Sequence, residues 1–207
     1  MTESMRQNPN ASEFPMCTAR PIEEPQGQVY FDQFCQSMPT WKRIRPNRRL
    51  ELMGEFRRAL QSRHMPIGDL ANRVIEANGL NLEVPAGIKR VKFIKTTLKE
   101  MTGKDEADYF EIYSHFIGLQ NFPLAVWLNL RLQYLDQPHN ECLYTLSRYE
   151  AINVDGRTID CVLAIDNDPS IGKWLYGRSI GYFAAPTVFS GDSLWLIPSV
   201  PMPKLAT

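Results

Sequence analysis

Apolar residues recur at helical spacing through the first half of the chain and predict three successive helices. The first follows Asn47, whose side chain can accept a hydrogen bond from an amide of the first helical turn. The second is predicted from Pro66 to Asn78 and the third from Pro85 to Gly103. The apolar stripe of the third helix contains Ile88, Val91, Ile94, Leu98 and Met101.

Two segments between residues 108 and 135 are apolar on nearly every helical face, and Pro123 lies between them. Helices without a polar face are buried in the core of a protein. The pattern therefore predicts a helical hairpin, broken at Pro123, that forms the structural centre of the molecule.

From Cys142 onward the apolar period changes from helical to alternating, which predicts strands. Residues 144–154 and 157–165 flank Asp155-Gly156, a pair that favours the tight turn of a hairpin. Four residues of the second strand would share one face: Ile159, Cys161, Leu163 and Ile165. Further strands are predicted at 173–183, 185–189 and 194–197. The expected fold class is α+β, with an N-terminal helical part and its central apolar hairpin packed on a C-terminal antiparallel β-sheet.

These elements predict a division of the chain into four parts. The parts are a flexible leader at 1–28, a helical part at 29–140 with a basic segment at 42–99, an antiparallel β part at 141–200 and a tail at 201–207. The leader is rich in proline and polar residues and has no periodic apolar pattern. The two central parts are also compatible with a single domain from 29 to 200, because the apolar helices need a surface to cover.

Charge is unevenly distributed along this neutral chain. Residues 42–99 contain fourteen basic and five acidic residues, a formal charge of +9. The sequence from Glu100 onward contains thirteen acidic and seven basic residues, a formal charge of −6. Because a positive surface displaces counterions from phosphates, the basic segment is expected to contact DNA or RNA. The acidic half is then available for self-association or a second partner.

Three short helices of which the last is basic resemble a helix-turn-helix module over about residues 47–103. The residues expected to bind nucleic acid lie on the exposed faces of the first and third helices: Arg48, Arg49, Arg57, Arg58, Lys89, Lys92 and Lys99. The side chains available to contact bases are those of Trp41, Asn47 and His64.

Two other functions are compatible with the same residues. The basic helices could dock on an acidic protein, as an inhibitor or adaptor does. Alternatively, the protein could be a small metal-dependent hydrolase or nuclease, with Asp160, Asp166 and Lys173 as catalytic candidates. The acid-x-lysine spacing of such nucleases is absent, because Cys161 and Val162 follow Asp160. A non-enzymatic binding or regulatory protein is therefore the leading hypothesis.

The sequence shows no sign of a membrane span, a metal site or a cofactor site. No apolar run approaches the roughly 18 residues of a membrane-spanning helix, and the N-terminus lacks the apolar segment of a secretory signal. The cytoplasm is therefore the expected location. The four cysteines, Cys17, Cys35, Cys142 and Cys161, are too scattered to predict a structural zinc site.

Overall fold

The computed structural model of the chain describes residues 33–47, 50, 52–78, 84, 88–114, 122–152, 155–180 and 187–198. The strands are β1 Lys42–Ile44, β2 Val91–Thr97, β3 Glu106–Asp108, β4 Cys142–Ile152, β5 Thr158–Asp168, β6 Gly172–Ser179, β7 Val188–Ser190 and β8 Leu194–Pro198. The named helices are α1 Met53–Gln61, α2 Asp69–Asn78, α3 Leu98–Thr102, α4 Tyr109–Ser114 and α5 Leu124–Gln133, and residues 33–37 are also helical. The predicted leader and tail, at 1–28 and 201–207, lie outside the described residues.

Six strands form one sheet in the order β1-β2-β8-β4-β5-β6, and β3 pairs with β7 in a separate two-stranded sheet. The fold is α+β, as predicted, but the large sheet is mixed rather than antiparallel, because β8 runs parallel to β4. The sheet also includes β1 and β2, which come from the segment predicted to be helical. The predicted hairpin of β4 and β5 is confirmed.

The prediction of a third helix from Pro85 to Gly103 is wrong, because residues 91–97 form strand β2 and a helix begins only at Leu98. Its β-branched residues favour an extended backbone. The strand ends where Thr97 caps the short helix α3: its hydroxyl accepts a hydrogen bond from Glu100 N at 3.1 Å, and Glu100 Oε2 accepts one from Thr97 N at 2.9 Å. This reciprocal pair is the capping box of a helix start. The resemblance to a helix-turn-helix module is lost with the third helix.

Hydrophobic cores lie on both faces of the large sheet. The first core packs α1, α2 and α5 against one face, and the second packs α3, α4 and β7 against the other. On β5, the side chains of Cys161, Leu163 and Ile165 lie in the first core, as the alternating pattern predicted. Helix α5 is buried from Leu124 to Leu132, in agreement with its all-round apolar sequence.

The first two helices are present, although α1 starts at Met53 and is not capped by Asn47. The prediction of a helical hairpin broken at Pro123 is wrong, because α4 packs in the second core and α5 packs in the first core, on the other face of the sheet. Residues 115–121 lie outside the described part. No helix in the described ranges is long and apolar enough to cross a membrane.

Candidate nucleic-acid interface

The structure disperses the five described members of the seven basic residues that were predicted to bind nucleic acid. Arg57 Nη2 forms an ion pair with Glu76 at 2.8 Å, and Lys99 Nζ forms one with Asp105 at 2.7 Å. Arg58 is exposed on α1, whereas Arg48 and Arg49 lie outside the described residues. The remaining two, Lys89 and Lys92, are exposed at the start of β2. Of the five described residues, only Lys89 and Lys92 lie beside other exposed cations that form no ion pair with a described residue.

Four exposed basic residues occupy one face of the ribbon formed by β1 and β2, and we call this surface the basic face: Arg43, Arg45, Arg90 and Lys92. They alternate with residues that are buried in the first core: Ile44, Val91 and Phe93. Since successive strand residues point to opposite faces, the four cations lie on the face away from the first core.

The strand register places these cations side by side. Arg43 lies directly opposite Lys92, and Ile44 lies opposite Val91. The next residues beyond the ladder are Arg45 and Arg90. Cα atoms of directly opposed residues are about 5 Å apart, and those of alternate residues along one strand about 6.6 Å. The basic face is therefore a compact array of four guanidinium and ammonium groups.

No acidic side chain lies within these strands to neutralise the array. Residues 41–47 and 88–97 contain seven basic residues and no aspartate or glutamate. Two of the seven, Lys42 and Lys95, are on the opposite side of the ribbon and are paired there, with Asp136 at 2.8 Å and Glu141 at 2.9 Å. Among the described residues, none forms an ion pair with the four cations of the basic face. The positive charge is therefore concentrated on one side of the ribbon.

Helix α5 holds the backbone that leads out of β1. Gln133 accepts a hydrogen bond from Arg45 N at 3.3 Å and donates one to Arg45 O at 2.8 Å. One turn earlier, buried Asn129 accepts a hydrogen bond from Asn47 N at 2.7 Å and donates one to Ala125 O at 2.9 Å. These two amides, four residues apart on one helix face, fix the path of the chain at the basic face.

Replacement of Asn129 by Ala is expected to lower the free energy of unfolding by about 2 kcal/mol, because Asn47 N loses its acceptor in a partly buried place. The same change should speed amide hydrogen exchange at Asn47. Gln133→Ala is the matched control at an exposed position and should cost less than about 1 kcal/mol while the Asn47 amide stays protected. Equal exchange rates in both variants would show that Asn129 does not anchor this segment.

An aromatic cluster occupies the opposite side of the ribbon. The rings of Trp41 and Tyr134 meet edge to face with centroids 4.9 Å apart. Lys42 Nζ lies 4.3 Å from the Tyr134 centroid, and Lys95 Nζ lies 5.3 Å from the Trp41 centroid. Burial and the hydrogen bond to Glu141 raise the pKa of Tyr134, so its hydroxyl stays protonated and donates to Glu141 Oε2 at 2.6 Å. The cluster is a fixed, charge-balanced platform with Trp41 partly exposed.

The three catalytic candidates of the hydrolase hypothesis do not converge. Asp160 and Asp166 are six residues apart on β5, a separation of about 20 Å. Lys173 is opposite Asn167 and Trp174 is opposite Asp166, so Lys173 and Asp166 point to different faces of the sheet. Asp160 is bound by Arg148 at 2.8 and 2.9 Å, and Asp166 accepts a hydrogen bond from Trp174 Nε1 at 3.1 Å. Within the described ranges, no cluster of three or more histidine, cysteine, aspartate or glutamate residues could hold a metal ion.

Two open cavities, of about 570 and 550 Å³, lie beside helix α2. Both are lined by Asn72 and Glu76, and neither is lined by a residue of the basic face. Their charged residues include the ion pair of Arg57 and Glu76, which leaves no concentration of one charge. The basic face is an open surface, which suits a polyanion better than a small molecule.

The strand period was the signal that could have located the basic face. Arg43-Ile44-Arg45 and Arg90-Val91-Lys92-Phe93 each alternate basic and apolar residues. Three residues of the face were absent from the predicted site. Arg43 and Arg45 precede the first predicted helix, and Arg90 was not placed on the exposed edge of the third. No protein family, no curated protein and no solved structure matches this chain, so its functional assignment depends on geometry and charge.

Proposed function

We propose that the protein binds nucleic acid through the basic face. The observation that carries the proposal is the array of four exposed cations on one side of the β1–β2 ribbon, in segments without an acidic residue. Arginine and lysine on such a surface contact phosphates and release condensed counterions. Because the whole chain has a formal charge of zero, long-range attraction from net charge contributes little, and binding depends on this local array.

The dependence of affinity on salt follows from the size of the array. If each of the four cations neutralises one phosphate, the logarithm of the association constant should fall with the logarithm of salt concentration with a slope of about −3 to −4. The measurement is a titration of a labelled oligonucleotide, followed by fluorescence anisotropy at several salt concentrations. A slope near zero would contradict the proposal.

Charge reversal at Arg43 and Lys92, which are directly opposed across the two strands, is the sharpest test. The double variant Arg43→Glu/Lys92→Glu is expected to bind roughly a hundredfold more weakly and to lose about half of the salt slope. The matched control is Lys99→Glu/Lys104→Glu, which changes the net charge equally at two exposed lysines paired with Asp105 and Glu111. It should retain most of the affinity.

The two variants separate a local site from a general effect of charge. Equal loss of affinity in both would show that net charge, and not the basic face, governs binding. A greater loss in the Lys99→Glu/Lys104→Glu variant would return the interface to the edge predicted from the helical pattern. Thermal unfolding of each variant confirms that it is folded before its affinity is compared.

A further inference from the structure

We infer that Trp41 is a base-stacking residue and that the protein therefore prefers single-stranded nucleic acid to duplex. This inference rests on the proposed function, since it adds a base contact to the phosphate contacts of the basic face. Its basis is the position of a partly exposed tryptophan at the edge of the sheet, two residues from Arg43. That interval is about 6.6 Å of extended chain.

The backbone at the start of β1 turns Trp41 away from the basic face. Lys42 is opposite Phe93 in the strand register, and Trp41 N also donates a hydrogen bond to Phe93 O at 2.8 Å. Two successive residues thus face one residue of the partner strand, as in a β-bulge. The bulge accounts for Trp41 and Lys42 both lying next to Tyr134, on the side opposite Arg43.

The surroundings of Trp41 hold its ring in place without adding net charge. Tyr134 packs edge to face against it, and Lys42 and Lys95 approach its centroid to 5.8 and 5.3 Å. The two lysines are paired with Asp136 and Glu141. This side of the ribbon therefore offers a fixed aromatic ring and little free charge, whereas the other side offers four cations.

Strand β1 is the edge of the six-stranded sheet, so both sides of the ribbon are reachable across one strand. A single strand can lay its phosphates along the basic face and turn one base over the edge onto Trp41. Combined phosphate and aromatic contacts of this kind characterise proteins that bind single strands. A duplex keeps its bases paired and stacked, so it can contact only the cations. A base could reach Trp41 only if its base pair opened, which costs free energy.

The test compares four labelled ligands of equal length: oligothymidylate, oligouridylate, an abasic deoxyribose-phosphate oligomer and a DNA duplex. The native protein is expected to bind the two base-containing single strands roughly tenfold or more tightly than the abasic oligomer. Trp41→Ala should remove that advantage and leave the affinities for the abasic oligomer and the duplex unchanged. Trp174→Ala, at a partly exposed tryptophan on the far edge strand β6, is the matched control and should change none of the four affinities.

Fluorescence gives a second readout that needs no truncation of the ring. Of the four tryptophans, Trp127 and Trp195 are fully buried and Trp174 lies on β6, the edge strand farthest from β1, so stacking should quench only Trp41. Quenching by oligothymidylate is expected in the native protein and in Trp174→Phe but not in Trp41→Phe. Persistent quenching in Trp41→Phe would overturn the stacking role. An equal loss of affinity for all four ligands in a folded Trp41→Ala protein would also overturn it. If Arg43→Glu/Lys92→Glu binds every ligand normally, the proposed function itself fails.

Discussion

Replacement of Arg148 by Met is expected to lower the free energy of unfolding by about 3 kcal/mol. Arg148 and Asp160 lie on adjacent strands and form a two-point ion pair, with Nε to Oδ1 at 2.8 Å and Nη2 to Oδ2 at 2.9 Å. The Asp160 side chain is 8% exposed and that of Arg148 is 37% exposed. Removal of the cation therefore leaves a carboxylate buried without its partner, which is the costly way to break a buried pair.

The double variant Arg148→Met/Asp160→Leu identifies the source of that loss. It removes both charges, so it should recover most of the stability that Arg148→Met loses. A comparable change at an exposed pair, Lys99→Met, should cost far less stability, because solvent screens the charge of Asp105. Urea unfolding measures all three. A double variant as unstable as the single one would assign the loss to packing of the Arg148 side chain instead.

The same pair gives Asp160 a structural role in place of the catalytic one considered from the sequence. Asp160 was a candidate because it lies with other carboxylates and Lys173 on or beside the predicted hairpin. Its partner, Arg148, lies twelve residues earlier, and a β-bulge between Tyr144 and Arg148 shifts the register of the two strands. Alternation predicts the hairpin but not where the bulge falls, so this pairing could not be read from the sequence.

The segment from Ile88 to Met101 shows why helix and strand were confused. In a strand of a sheet that is covered on one face, apolar and polar residues alternate. Strand β2 is covered on both faces along part of its length. Phe93 lies in the first core and Ile94 in the second, so two neighbouring apolar residues interrupt the alternation. Apolar positions three and four residues apart then imitate a helix. The Thr97 and Glu100 capping box was the local signal that a helix begins only at Leu98.

Elements with one strong local signal were predicted well, and pairings between distant segments were not. Helix α5 is apolar all round and was expected in the core, where it is found. The parallel contact of β8 with β4 joins strands far apart in sequence, and no local pattern encodes it. Charge counting identified the segment that contains the basic face. The ion pairs of Arg57 and Lys99 then determine which cations remain available, and these depend on tertiary structure.

Replacement of Gly191 by Ala is expected to lower the free energy of unfolding by about 2 to 3 kcal/mol. A Cβ atom at Gly191 would lie 2.9 Å from the carbonyl oxygen and 3.0 Å from the Cα of Asp105. Both atoms belong to backbone, which cannot move aside as a flexible side chain would. Gly191 also donates its N–H to Asp105 O and accepts a hydrogen bond from Lys99 N at 3.0 Å. A shift there would disturb both the β3–β7 pairing and the start of α3.

Gly54→Ala is the matched control, and its expected change in the free energy of unfolding has the opposite sign. Gly54 is an exposed position of α1, and nothing lies within 4 Å of an added Cβ. Alanine there should raise the free energy of unfolding by about 0.5 to 1 kcal/mol, because it loses less conformational freedom in a helix. Urea unfolding of both variants, with hydrogen exchange at Lys99, tests the pair. The prediction would be contradicted if Gly191→Ala unfolded at the same urea concentration as the native protein and the Lys99 amide stayed protected. The backbone at Asp105 would then move aside without a loss of stability.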